Sequence, residues 1–240
     1  MTAPGAQFRL ENGRGRKVMV GVVDSGWDSG VQDPRVLPGR GILEEDRGST
    51  EDLAGHGTLC ALRVLQVAPE ARVVPVKVFP SRMETSVPRL CEGIRVACDL
   101  GAKVVNLSLA TRLPEAIRPL FEVCEEARIN GVVIVAAAHN QGVPAVPAYL
   151  EPVLSVEEGY QTDLLDFSYN PDGPIECTAA GARVPVTATN GWSKHRAGSS
   201  IAASTMSGIV ARLLEGYPTD LDGVRAMLDE ICLRAKVAET

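Results

Sequence analysis

Aromatic residues are scarce in this sequence: four Phe, four Tyr and two Trp amount to 4% of its 240 positions. That scarcity excludes an aromatic platform for stacking sugars or bases, and it leaves the core to Val, Leu, Ile and Ala. A core of that kind suits a parallel sheet buried on both faces. Positive charge is short as well. The 24 Lys and Arg against 30 Asp and Glu leave a net charge of −6, which argues against a nucleic-acid partner because cations supply most affinity for phosphate backbones. No apolar run approaches the ~20 residues that span a bilayer; the longest covers residues 132–138. The first residues, Met1-Thr2-Ala3-Pro4-Gly5-Ala6-Gln7, lack the basic and then apolar layout of a secretory signal. No membrane association and a cytoplasmic location are therefore expected. The six cysteines (Cys60, Cys91, Cys98, Cys124, Cys177 and Cys232) are scattered, contain no C-x-x-C pair, and read as free thiols of a reducing compartment.

No repeat, low-complexity tract or linker divides the chain. A single domain over residues 1–240 is expected, with an N-terminal extension at 1–16 and a C-terminal helical extension at 218–240. Residues 17–23 form a β-rich run that ends at Asp24-Ser25-Gly26, and residues 73–79 form a second such run. Residues 85–100 then show helical spacing, with Val87, Leu90, Ile94 and Ala97 on one face and Gly101 as a stop. A strand at 102–107, a helix at 114–130 closed by Gly131 and a strand at 132–137 complete the alternation. This order predicts an α/β fold, a doubly wound and mostly parallel sheet flanked by helices, with ligands beyond the carboxyl ends of the strands. Further on, short strands are expected at 152–156 and 184–188, a buried small-residue helix at 200–214 and a more amphipathic helix at 220–235.

Three histidines are present. His56 sits in Asp52-Leu53-Ala54-Gly55-His56-Gly57-Thr58, where flanking glycines let another backbone or a substrate approach the imidazole. Ser200, in Gly198-Ser199-Ser200-Ile201-Ala202-Ala203-Ser204, falls at a helix start whose N–H groups favour negative charge. Taken singly, each has a plainer reading: a loop histidine, a helix-capping serine at 199 or 200, and a turn residue at Asp24.

Together they form an ordered set: D-S-G-x-D at 24–28, G-H-G-T at 55–58, V-N-L-S-L at 105–109, A-A-x-H-N-x-G at 136–142 and G-S-S-x-A-A at 198–203. This set resembles the subtilase family of serine proteases, whose triad runs Asp, His, Ser along the chain. The resemblance extends from about residue 17 to residue 214 and implies a subtilisin-like catalytic domain. It implies that Ser200 attacks the scissile carbonyl, His56 moves the proton and Asp24 holds the imidazole. It also implies that Asn140 donates its amide to the oxyanion, and that Ser108, Leu109 and Ala110 pair with the substrate backbone as an extended strand.

Departures from the family pattern carry expectations of their own. His139 stands where the family usually has Gly before the oxyanion Asn, and Ala110-Thr111 stand where it usually has Gly-Gly. Both segments wall the pocket for the residue preceding the cleaved bond. A narrowed or reshaped pocket is expected, one that takes a small or unusual residue or is rearranged by a partner; the alternative is that His139 turns outward and changes little. Ser204 replaces a proline, at a small cost in rigidity. The short stretch between His56 and Val73 lacks the calcium loop of some members, and no His/Cys cluster points to zinc, so neither metal nor cofactor is expected. Sixteen residues precede Lys17, too few for the inhibitory prodomain of secreted members, so restraint is expected from narrow specificity, low intrinsic activity or a regulatory partner protein. His195, in Trp192-Ser193-Lys194-His195-Arg196, reads as part of a solvated basic loop rather than a substrate or partner contact. The function expected is an intracellular serine endopeptidase of restricted specificity acting on a peptide or protein substrate. A subtilase-like binding or regulatory module with weak catalysis is the alternative, and an esterase is disfavoured because an extended strand suits peptides.

Overall fold

The structure is a computed structural model that describes residues 5–44, 48–80, 82–181, 185–187, 193–194 and 196–238. Helix α1 (Ala6–Asn12) leads into β1 (Met19–Asp24), β2 (Arg40–Gly41), α2 (His56–Val67), β3 (Arg72–Lys77), α3 (Val87–Asp99) and β4 (Val104–Leu107). After these come α4 (Ile117–Ile129), β5 (Val133–Ala137), β6 (Leu154–Gly159), β7 (Phe167–Tyr169) and β8 (Cys177–Ala180). The short strands β9 (Val186–Thr187) and β10 (Ser193–Lys194) then precede α5 (Ser199–Leu213) and α6 (Leu221–Ala238). Eight strands form one sheet in the order β2-β3-β1-β4-β5-β6-β8-β7, parallel throughout except for the antiparallel pair β7–β8. The doubly wound α/β arrangement expected from the sequence is the one observed.

The valine runs explain themselves once both faces of the sheet are covered. Val20, Val22, Val104, Val133 and Val135 face a core built with α1, α2, α5 and α6. Their neighbours Val23, Val105, Ile134 and Ala136 face a second core built with α3 and α4. Helix α5 is buried along nearly its whole length, and small residues let it settle deeply. Gly208 lies so close to α2 that a Cβ there would meet Val67 Cβ at 2.5 Å and Val64 O at 3.1 Å. The buried Arg212 guanidinium donates to Val67 O at 2.8 Å and to Leu10 O, tying α5 to the end of α2 and to α1. These ties satisfy carbonyls that have no partner within their own helices.

Helix α1 and the strands β2, β7, β8 and β10 lay outside the sequence reading. Strand β8 is Cys-Thr-Ala-Ala, without the run of branched residues that signals a strand, and the sheet itself stabilises it by placing it between β6 and β7. The strand expected at 184–188 is two residues long, with 184 and 188 outside the described residues. None of the six cysteines forms a disulfide. Among the described residues no helix is long and apolar enough to cross a membrane.

Gly208→Ala is expected to lower the unfolding free energy by about 1–3 kcal/mol through overpacking against α2, read as a drop in the urea midpoint. A midpoint equal to that of the wild type would show that the two helices part without cost.

Candidate active site

Parallel strands deliver their carboxyl ends to one edge of the sheet, and α2 and α5 begin at that edge. Asp24 is the last residue of β1 and is fully buried. His56 is the first residue of α2, and its Nδ1 lies 2.8 Å from Asp24 Oδ1 and 3.0 Å from Oδ2. The glycines around His56 serve different ends. Gly55 has φ +74° with open space around it, so it supplies the left-handed turn into the helix. Gly57 supplies proximity, since a Cβ there would meet Gly26 O at 2.6 Å and Asp24 Cβ at 3.2 Å.

The start of α2 is capped from outside its own sequence. Ser25 Oγ accepts the Gly57 N–H at 2.8 Å. The Asp52 carboxylate accepts the N–H groups of Ala54, Gly55 and Thr58 and the Thr58 hydroxyl, at 2.6–3.0 Å. Burial alone would raise the pKa of Asp52, but the Thr58 hydroxyl and these N–H groups outweigh it and hold the carboxyl below its ordinary value. The ion-assisted cap locks the orientation from which His56 reaches Asp24.

Ser200 lies in the first turn of α5. Its hydroxyl donates to Ser108 O at 3.2 Å, and among the described residues it has no hydrogen bond with His56. A change of its staggered rotamer redirects the hydroxyl, and unliganded sites often hold such bonds open. Asn140 follows β5, and its Oδ1 accepts the Ser199 N–H at 2.9 Å and faces the Ser199 hydroxyl at 3.0 Å. That hydroxyl also contacts Ala138 O. With Oδ1 committed in this way, the Asn140 Nδ2 and the Ser200 N–H remain unspent among the described residues, which is the pair of donors an oxyanion requires.

Below them runs a buried polar chain. Ser207 donates to Asn106 Oδ1 at 3.1 Å, Asn106 Nδ2 donates to Ser108 Oγ at 2.8 Å, and Ser108 Oγ donates to Ser200 O at 3.1 Å. The Ser108 side chain is thus an internal strut, and its backbone is what faces the cleft. Ser204, in the place of the family's proline, donates back to Ser200 O at 2.9 Å. Leu109 and Ala110 make no backbone hydrogen bonds among the described residues and form an open edge. They line a cleft of about 400 Å³ together with His56, Phe79, Leu90 and Leu113. A cavity of about 490 Å³ lies at the opposite edge of the sheet, between Lys17, Lys103 and Pro218, and contains none of these groups. The half-buried His139 folds over its own turn, its Nδ1 accepting the Gln141 N–H at 3.2 Å. His195 lies outside the described residues.

Cys60 is the site residue that the sequence reading passed over. One helical turn after His56, it lies beneath the imidazole, with Sγ 3.9 Å from Nδ1 and 3.4 Å from Ser108 Oγ. The i,i+4 spacing carried that signal. Asp24, His56 and Cys60 offer donor atoms within 4.8 Å of one another, close enough for a metal ion, but Nδ1 is already engaged by Asp24. The His56 pKa is raised above 6.5, by Cys60 only when that thiol is ionised; burial opposes the rise, and the charge and hydrogen bond of Asp24 add to it.

A buried carboxylate on an imidazole, with a hydroxyl at a helix start and an amide aimed beside it, is the equipment of the serine hydrolase class. Comparison with known proteins identifies the family: the profile of the Subtilase family matches residues 15–236, and the chain belongs to that family. It is 28% identical over 222 residues to Subtilisin DY of Bacillus licheniformis, covering 86% of this chain and 80% of that protein. It is 27% identical to the Intracellular serine protease of Paenibacillus polymyxa, covering 82% of this chain and 67% of that one. Other subtilisins among the relatives are longer, and the chain spans 57% of their length. A solved cold adapted subtilisin-like serine proteinase shares the fold with a TM-score of 0.72 at 20% identity, over 87% of this chain and 79% of that one. Family and relatives make this protein a serine endopeptidase.

In the role proposed for it below, His56 must be neutral to accept a proton, so its raised pKa makes activity fall as the pH drops. A kcat/KM profile without an acid limb would contradict that role.

Proposed function

We propose that the protein is an intracellular endopeptidase of restricted specificity, acting through Asp24, His56 and Ser200 with Asn140 in the oxyanion hole. The observation that carries this reading is the Asp24–His56 pair at 2.8 Å, set at the same sheet edge as the Ser200 hydroxyl and the free Asn140 amide. Ser200 attacks the scissile carbonyl while His56 takes its proton. Asp24 steadies the resulting imidazolium, and His56 then returns the proton to the leaving amine. The substrate lies as an added strand against the open edge of Leu109 and Ala110. Ala110 and His139, in place of glycines, restrict the pocket for the residue before the cleaved bond, and a dedicated peptide or protein substrate follows from that restriction. The intracellular assignment is supported by six cysteines that form no disulfide and by the likeness to the Intracellular serine protease of Paenibacillus polymyxa. Narrow specificity, low intrinsic activity or an activating partner protein restrains the enzyme.

The Ser200–Ser108 hydrogen bond favours a second reading, a regulatory module whose nucleophile is held away from its base. A fluorophosphonate probe separates the two. Labelling of the wild type that is lost in Ser200→Ala supports the protease, and no labelling of either supports the module. Mapping of new peptide N-termini in cell extract with the same two proteins should show cleavages confined to the wild type. Asn140→Ala is expected to reduce kcat about 10²–10³-fold with little change in KM. An unchanged kcat would remove Asn140 from the oxyanion hole.

A further inference from the structure

Leu113 stands at the outer end of the cleft and is 51% exposed. From it the chain turns through Pro114–Ala116 into α4, where Ile117 is 50% exposed and Phe121 is 41% exposed. Helix α4 directs Leu120, Val123, Cys124 and Ala127 into the core, so Ile117 and Phe121 are not its packing face. Single exposed apolar residues need no explanation, but these three form a row spaced by four residues that begins inside the cleft.

We infer that this row is a docking surface for the substrate itself, gripping an extended apolar segment upstream of the cleaved bond. The inference rests on the protease reading proposed above. Two features of the structure point to this occupant. The row is continuous with the cleft, because Leu113 belongs to both. The step from Ile117 to Phe121 also fits an extended peptide: four α-helical residues rise ~6 Å, and alternate side chains of a strand recur every ~6.6 Å. A strand leaving the open edge of Leu109 and Ala110 passes Leu113 in the cleft and then lays alternate side chains against Ile117 and Phe121. The reach from Ser108 to Leu113 takes about five substrate residues and the row about four more, at ~3.3 Å each. Recognition extends over about nine residues upstream of the bond. The exposed pair Arg118 and Glu122 beside the row bond to each other at 2.8 Å, so this face asks for apolar rather than charged side chains.

The test uses three labelled peptides with one common core of small apolar residues. The first has no upstream extension, the second an upstream (Leu-Ser)₃ extension and the third an upstream (Ser-Ser)₃ extension. Hydrolysis is measured with the wild type and with the double variant Ile117→Ser/Phe121→Ser, and binding is measured by anisotropy in the Ser200→Ala background of each. The Leu-Ser extension is expected to raise kcat/KM at least tenfold through KM and to tighten binding equally. The Ser-Ser extension is expected to do neither. The double variant should lose the gain while cleaving the core peptide as the wild type does, with an unchanged urea midpoint as the check on folding. A gain that is absent, that survives the double variant or that appears with Ser-Ser overturns the inference. So does dimerisation of the free protein abolished by the double variant, which would assign the row to a second copy. If no peptide is hydrolysed but the extended one binds more tightly through Ile117 and Phe121, the surface stands and the protease reading fails.

Discussion

The site depends on one close passage of backbone. The start of α2 crosses the end of β1 with no side chain at Gly57 between them, and only that approach lets the His56 imidazole rest on the Asp24 carboxylate. Hydrogen bonds fasten the crossing from both sides, Ser25 reaching the helix from the strand end and Asp52 reaching it from the preceding loop. Asp24 is fully buried and His56 only partly so, and the carboxylate therefore relies on its protein partners rather than on water. An imidazole held in this way keeps one tautomer and one orientation, which acid–base work demands.

The second half of the site is positioned by α5. Ser200 and Asn140 belong to different elements, and Ser199 joins them by presenting its N–H and hydroxyl to Asn140 Oδ1. The buried run Ser207, Asn106, Ser108 then anchors the Ser200 carbonyl to β4. The Ser108 hydroxyl both gives and receives, and satisfied groups of this kind lie in an apolar core at little cost. The Cys60 thiol completes it by donating to Ser108 Oγ, so one sulfur touches both the imidazole and the strut beneath the cleft strand.

Much of this was legible in the sequence, for physical reasons. Strands buried on both faces appear as unbroken valine runs, so β1, β3, β4 and β5 were read to within about two residues. The five motifs appeared because an active site constrains residue type and order together. What escaped were features defined by neighbours. Strand β8 has no β-rich composition and exists because β6 and β7 flank it. Asp52 and Ser199 look like loop and cap residues until the groups they bond are in place. Gly55 and Gly57 look alike in the sequence, yet one supplies a left-handed φ and the other a gap. His139 was read as a pocket wall, and the bond from Gln141 N–H to its own ring nitrogen is a local detail that composition does not carry.

The deep burial of α5 against β4, β5, β6 and α2 has a consequence in time. Asp24 and His56 are synthesised early and Ser200 late, and the helix that bears Ser200 packs against the middle of the sheet rather than its margin. Contacts between parts so distant in sequence form slowly, because loop closure precedes any gain from packing. Asp24, His56 and the open edge of Leu109 and Ala110 are all made before the Ser200 hydroxyl that faces them. Under the roles proposed above, the three residues meet only once nearly the whole polypeptide has taken its place.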